Sequence, residues 1–184
     1  LVRSGLNRII VSLDGISQQS YSAYRVGGDI EKVREALRLL HDVKQRLGSR
    51  TPVIEWQCLR LHTNEHEWAE MRRVYRRWGA DRITLKTAQL YDYANGNPLM
   101  PADTRYARYT IGKDGKYHLK QSLWRRLWGI SAPCCRLWSG CVITTSGEVL
   151  PCCYDKAHAH PFGNILTASF ATLFHSSVAN GFRY

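Results

Sequence analysis

The sequence predicts an α/β protein in two parts, a parallel sheet with helices followed by a small cysteine-rich β-hairpin region. Three observations carry that prediction. Short apolar runs alternate with stretches of helical period over the first 90 residues, five of the six cysteines lie between Cys134 and Cys153, and two β-prone runs there flank Ser146-Gly147.

In chain order, Arg8 to Leu13 is an apolar run ending at Asp14-Gly15, the pattern of a buried parallel strand entering a loop. Asp29 is placed to cap a helix in which Ile30, Val33, Leu37, Leu40 and Leu47 recur at helical spacing until Gly48 stops it. Pro52 to Leu59 is a second strand. The next helix is expected from Asn64, with Glu67 completing a capping box and Trp68, Met71, Tyr75 and Trp78 as its core stripe before Gly79. Asp81 to Lys86 is the third strand, so the order strand, helix, strand, helix, strand predicts a parallel sheet. Between Thr87 and Ala132 this pattern stops. Asn95-Gly96-Asn97-Pro98 and Pro101 mark turns, and Tyr106 to Ile111 with Lys116 to Leu119 predicts a hairpin around Lys113-Asp114-Gly115. Ser169 to Phe174 predicts a short helix near the end.

The cysteine region sets the register expected of its own hairpin. A two-residue loop at Ser146-Gly147 pairs Thr145 with Glu148, Ile143 with Leu150 and Cys141 with Cys152, and turns Cys153 to the other face. Several readings of these thiols compete. A Cys141–Cys152 disulfide needs an oxidising compartment that no leader indicates. Zinc with His158 and His160 lacks the usual paired spacing. Small buried hydrophobes are the plainest reading, and Cys58, alone on a strand, is read that way. For the clustered five, thiolates gripping an iron–sulfur cluster are preferred.

Composition bounds the rest. At 184 residues and 44% hydrophobic, the chain suffices for one medium domain or one large piece plus a small one, and wholesale disorder is excluded. No run approaches the length of a membrane span, so no membrane association is expected. A start at Leu1 without Met predicts an internal fragment. The net charge of +11 and pI near 9.6 draw on Arg72-Arg73, Arg76-Arg77 and the Arg125-Arg126 pair between Trp124 and Trp128. Basic surfaces attract polyanions, but no nucleic-acid motif accompanies the charge, so a solvated face is preferred and nucleic acid is a disfavoured partner.

Cys135 with Leu137-Trp138, then Val142-Ile143, then Gly147-x-Val149-x-Pro151-Cys152-Cys153-Tyr154-Asp155-Lys156, then Gly163-Asn164-Ile165, resembles the auxiliary-cluster region of radical SAM enzymes with a SPASM or twitch domain. Ser12-Leu13-Asp14-Gly15 with Tyr24-Arg25-x-Gly27 is similar to the fourth-strand region of the same family. The resemblance implies the C-terminal half of a partial (β/α) TIM-like barrel over residues 1–90, a linking segment over 91–132, and an incomplete auxiliary domain over 133–184. It implies a cytoplasmic enzyme that reductively cleaves S-adenosylmethionine to begin radical chemistry on a peptide or small-molecule substrate, served by an external electron donor. Ser12, Asp14, Arg25 and Gln57 would then contact S-adenosylmethionine, since hydroxyl and carboxylate suit ribose and a guanidinium suits a carboxylate.

Cys135, Cys141, Cys152 and Cys153 are the candidate ligands of an auxiliary 4Fe–4S cluster, with Cys153 able to replace Cys152 if a bulge shifts the pairing. Asp155 is a weak candidate base. The family's CxxxCxxC motif, which holds the cluster that cleaves S-adenosylmethionine, is absent from this sequence, as is the later CxxC pair, so the fragment alone is expected to be inactive. Two rival readings stand beside this one: a zinc-stabilised α/β binding module and a basic nucleic-acid-binding domain.

Overall fold

Strand β1 (Arg8–Ser12) runs parallel to β2 (Val53–Arg60), which runs parallel to β3 (Arg82–Thr87), in the sheet order β1-β2-β3. Side chains alternate across a strand, so the register sorts this sheet into two faces. On one face Ile9 lies beside Ile54, Val11 beside Trp56 and Ile83, and Cys58 beside Leu85. These join Leu13, Leu37, Met71 and Val74 in one apolar core. The other face carries the rows Ile10–Glu55–Arg82 and Ser12–Gln57–Thr84. The computed structural model describes residues 1–121 and 134–184.

Helices α1 (Gln18–Tyr24) and α2 (Ile30–Arg46) separate β1 from β2. Asp29 caps α2, its carboxylate accepting from the Glu31 and Lys32 amides, and Gly48 leaves the helix at φ 58°, as the sequence predicts. The second helical stretch differs from expectation. A 3-10 segment, His62–Glu67, precedes α3 (Trp68–Val74). Glu67 is not the partner of a capping box, because its carboxylate is drawn to the β1–α1 loop instead. The stripe does face the core: Met71 is buried, and Trp68, Tyr75 and Trp78 pack against it. Trp78 stacks on Trp56 with ring centroids 5.0 Å apart, and the Trp56 indole donates to the Leu13 carbonyl at 2.6 Å.

Strands β4 (Tyr109–Ile111) and β5 (Tyr117–Leu119) form the predicted antiparallel hairpin. The chain divides into two compact units, Leu1–Lys120 and Gln121–Tyr184. The Arg125-Arg126 pair with Trp124 and Trp128, and the end of the linking segment, lie outside the described residues.

In the second unit, the one-turn helix α4 (Arg136–Ser139) precedes β6 (Val142–Ile143), β7 (Glu148–Leu150) and β8 (Gly163–Asn164), which pair in that order and antiparallel. Helices α5 (Phe170–Phe174) and α6 (Ser177–Arg183) close it over a small core of Val149, Phe162, Leu173 and Ala179. The molecule is thus mixed α/β, with small sheets of three, two and three strands among the described residues and no closed barrel. No helix among the described residues is long and apolar enough to cross a membrane.

Candidate metal centre

The hairpin that carries the cysteines does not have the expected register. Val142 pairs with Leu150 and Ile143 with Val149, one residue off the Ile143–Leu150 pairing that a two-residue loop dictates. The cause lies in the turn. The Gly147 amide donates to the Thr144 carbonyl and the Thr144 amide to the Glu148 carbonyl, both at 3.0 Å, so Thr145, Ser146 and Gly147 form a three-residue loop. Gly147 takes φ 85°, the left-handed position that ends such a loop. Continued outward, this pairing sets Cys141 opposite Pro151 rather than Cys152.

Asn164 locks the turn from the next strand. Its amide nitrogen donates to the Ser146 carbonyl at 2.9 Å, and a Cβ on Gly147 would meet the Asn164 Oδ1 at 2.6 Å. The Gly147 and Gly163-Asn164 of the sequence pattern are therefore parts of one joint.

Beyond the paired ends, Cys141, Cys152 and Cys153 line a single hollow of about 240 Å³ with Ser139, Gly140, Val142 and Pro151. Cys58, Cys134, Cys141, Cys152 and Cys153 are free thiols. Cys141 packs partly against the small core, and burial pushes its thiol pKa up. Cys134 and Cys135 are exposed at the start of α4, where the Trp138 amide and the Ser139 hydroxyl both donate to the Cys135 carbonyl. Among the described residues, no three His, Cys, Asp or Glu side chains stand in a position to hold a metal ion. The donor chemistry suits iron and sulfide, and three of the four candidate ligands share one hollow. A closed donor set would need Cys135 to join the hollow, and metal binding commonly completes the folding of its own site.

The histidines considered for zinc are otherwise engaged. His158 Nδ1 lies 2.9 Å from the Glu148 carboxylate, and the His160 ring packs 5.1 Å from that of Phe182. Asp155 organises its own loop by accepting from the Ala159 amide at 2.8 Å and the His160 amide at 3.0 Å. Desolvation pulls its pKa upward, but those amides and the neighbouring imidazoles outweigh it, and the net direction is down. That makes Asp155 a weak base.

At the carboxyl ends of the parallel strands, the structure brings the other candidates together in two pairs. Ser12 and Gln57 are register neighbours, half-buried on the polar face. Asp14 is fully enclosed; its Oδ1 accepts from the Leu59 amide at 2.6 Å and its Oδ2 from Arg25 Nε at 2.7 Å. Arg25 is half-exposed.

Sequence reasoning missed the groups that hold this corner. Buried Asn64 donates to the carbonyls of Asp14 and Leu59 and accepts from the Leu61 amide and the Trp68 indole. Glu67 accepts from the Ile16 amide and the Ser17 and Ser20 hydroxyls. The Arg60 guanidinium lies over the Tyr106 and Trp68 rings, at 4.6 and 5.6 Å. The bonds that reach the Asp14 carbonyl, Ile16, Ser17 and Ser20 span 47 or more residues of sequence, and the signal for them was the capping-box spacing, which pointed to a different bond.

Cysteines gathered around a tight hairpin braced by short helices offer the donor chemistry of a metallocluster site. Residues 134–184 match the SPASM family, described as an iron–sulfur cluster-binding domain, a match consistent with a radical SAM enzyme of the SPASM type. No curated protein matches the chain.

Proposed function

We propose that the chain is part of a radical SAM enzyme, with an auxiliary 4Fe–4S cluster held in its SPASM segment by Cys135, Cys141, Cys152 and Cys153. The observation that carries this reading is the SPASM match over a segment whose free thiols, three of them, face one hollow. The cluster, when bound, supplies a thiolate-ligated iron centre for electron transfer or for anchoring substrate. The parallel unit is read as part of a partial TIM-like barrel whose strand ends bind S-adenosylmethionine. There Ser12 and Gln57 offer hydrogen bonds from the polar face, and Arg25 offers the remaining edge of its guanidinium to the carboxylate. Asp14 acts through Arg25, whose Nε it holds. The free thiols suit the reducing cytoplasm. A peptide or small-molecule substrate and an external electron donor complete the reading.

The test is chemical. The full-length protein carrying this chain, purified anaerobically with dithionite and S-adenosylmethionine, is expected to release 5′-deoxyadenosine, and Arg25→Ala to weaken S-adenosylmethionine binding. Absence of 5′-deoxyadenosine from protein loaded with iron and sulfide would overturn the radical SAM assignment while leaving the cluster in place.

A further inference from the structure

Arg183, the one basic residue of α6, makes an unusual set of contacts for a side chain near a helix end. Its Nε donates to the Leu137 carbonyl at 2.9 Å, and its Nη1 donates to the Phe174 carbonyl at 2.8 Å and to Asn180 Oδ1 at 3.3 Å. The guanidinium carbon sits 4.2 Å from the centroid of Phe174, 5.5 Å from Trp138 and 5.6 Å from Phe162. Its Nη2 is buried with no hydrogen-bond partner among the described residues. One cation therefore ties three stretches together: α4, the end of α5, and the loop bearing Phe162.

The consequence bears on Cys135. Helix α4 is one turn long and makes little structure by itself, since a single turn cannot offset its own nucleation. Its outward hydrogen bond among the described residues is the Leu137 carbonyl on Arg183, two residues from Cys135, and the Trp138 ring adds contacts to Arg183 and, at 5.1 Å, to the Tyr184 ring. The flat guanidinium suits this role, because its fork reaches two carbonyls while its face stacks on aromatic rings.

We propose that Arg183 is the positioning residue that sets where Cys135 stands relative to the hollow of Cys141, Cys152 and Cys153. It rests on the cluster-binding reading above for its effect on the iron site, but the staple itself is testable without iron. Fixed donors that orient ligands tune a metal centre as well as place it.

The experiment uses the full chain with Arg183→Met and Arg183→Lys. Before iron is added, amide hydrogen exchange of the peptide covering 135–139 is expected to quicken by at least about tenfold in R183M, with the hairpin peptide unchanged. R183K keeps the charge but reaches one carbonyl, and is expected to fall between. After anaerobic reconstitution with ferrous iron and sulfide, R183M should give the electron paramagnetic resonance signature of Cys135→Ser rather than that of the wild type. Wild-type exchange of the 135–139 peptide in both variants, or a wild-type signature in R183M, overturns the proposal. Should R183M fail to fold, exchange in R183K decides. A wild-type chain that takes up no iron would defeat the cluster reading, and the exchange arm would still decide the staple.

Discussion

Removing the Glu67 carboxylate tests whether the corner at the strand ends is built as the structure shows. Glu67 is buried and accepts three hydrogen bonds of 2.6–2.9 Å, from the Ile16 amide and the Ser17 and Ser20 hydroxyls. The two hydroxyls retain other partners, since they lie 2.9 Å apart and Ser20 also reaches the Ser17 carbonyl. Among the described residues the Ile16 amide has Glu67 as its one acceptor. Glu67→Ala thus orphans one half-buried donor, about 1–3 kcal/mol, and removes the charge-assisted share of two hydroxyl bonds, about 0.5–1 kcal/mol each. A total of about 2–5 kcal/mol is expected. Glu67→Gln keeps an acceptor for Ile16 and costs about 1 kcal/mol. Urea unfolding followed by tryptophan fluorescence gives the stability change, and hydrogen exchange at the Ile16 amide locates it. If Glu67→Ala lies within about 0.5 kcal/mol of wild type, or Glu67→Gln is as damaging as Glu67→Ala, the carboxylate is not the anchor described.

Further outcomes follow from other corners of the molecule. Gly147→Ala puts a Cβ at φ 85° and against Asn164 Oδ1, so it should cost at least about 1–2 kcal/mol in thermal unfolding and loosen the Cys141–Cys153 hairpin. Burial first, then the Asp14 and Glu67 carboxylates, raise the Cys58 thiol far above its ordinary range. Peptide mapping after alkylation at pH 8 should therefore find Cys58 modified at least about tenfold more slowly than exposed Cys134, Cys135 and Cys153. The Asp155 carboxyl lies below its unfolded value, so what it contributes is present above about pH 4 and is lost as pH falls through the folded value. The Ala159 and His160 amides should lose exchange protection only in acid, and Asp155→Asn should remove that pH dependence.

What the sequence made legible was whatever local spacing decides. The three parallel strands and the Asp29-to-Gly48 helix were readable because apolar period, cap and left-handed stop all agree. The cysteine hairpin was legible as a hairpin but not in register. Thr144-Thr145-Ser146-Gly147-Glu148 accommodates a two-residue or a three-residue loop, and the choice rests on Asn164, which arrives from another strand. Asn64, Glu67 and Arg183 were illegible for the same reason, since each acts on residues distant in sequence. Ser12 and Gln57 as neighbours followed from the parallel order alone, whereas the enclosure of Asp14 by Leu59 and Arg25 did not.

The account stands on the thiols of residues 134–184 as iron ligands. Iron and acid-labile sulfide measured per chain after anaerobic reconstitution test it most directly. The expected result is a brown protein with iron and sulfide in equal amounts, both falling sharply when Cys141 and Cys152 are changed together to Ser. A colourless chain holding neither, or holding stoichiometric zinc that survives the double substitution, would contradict it.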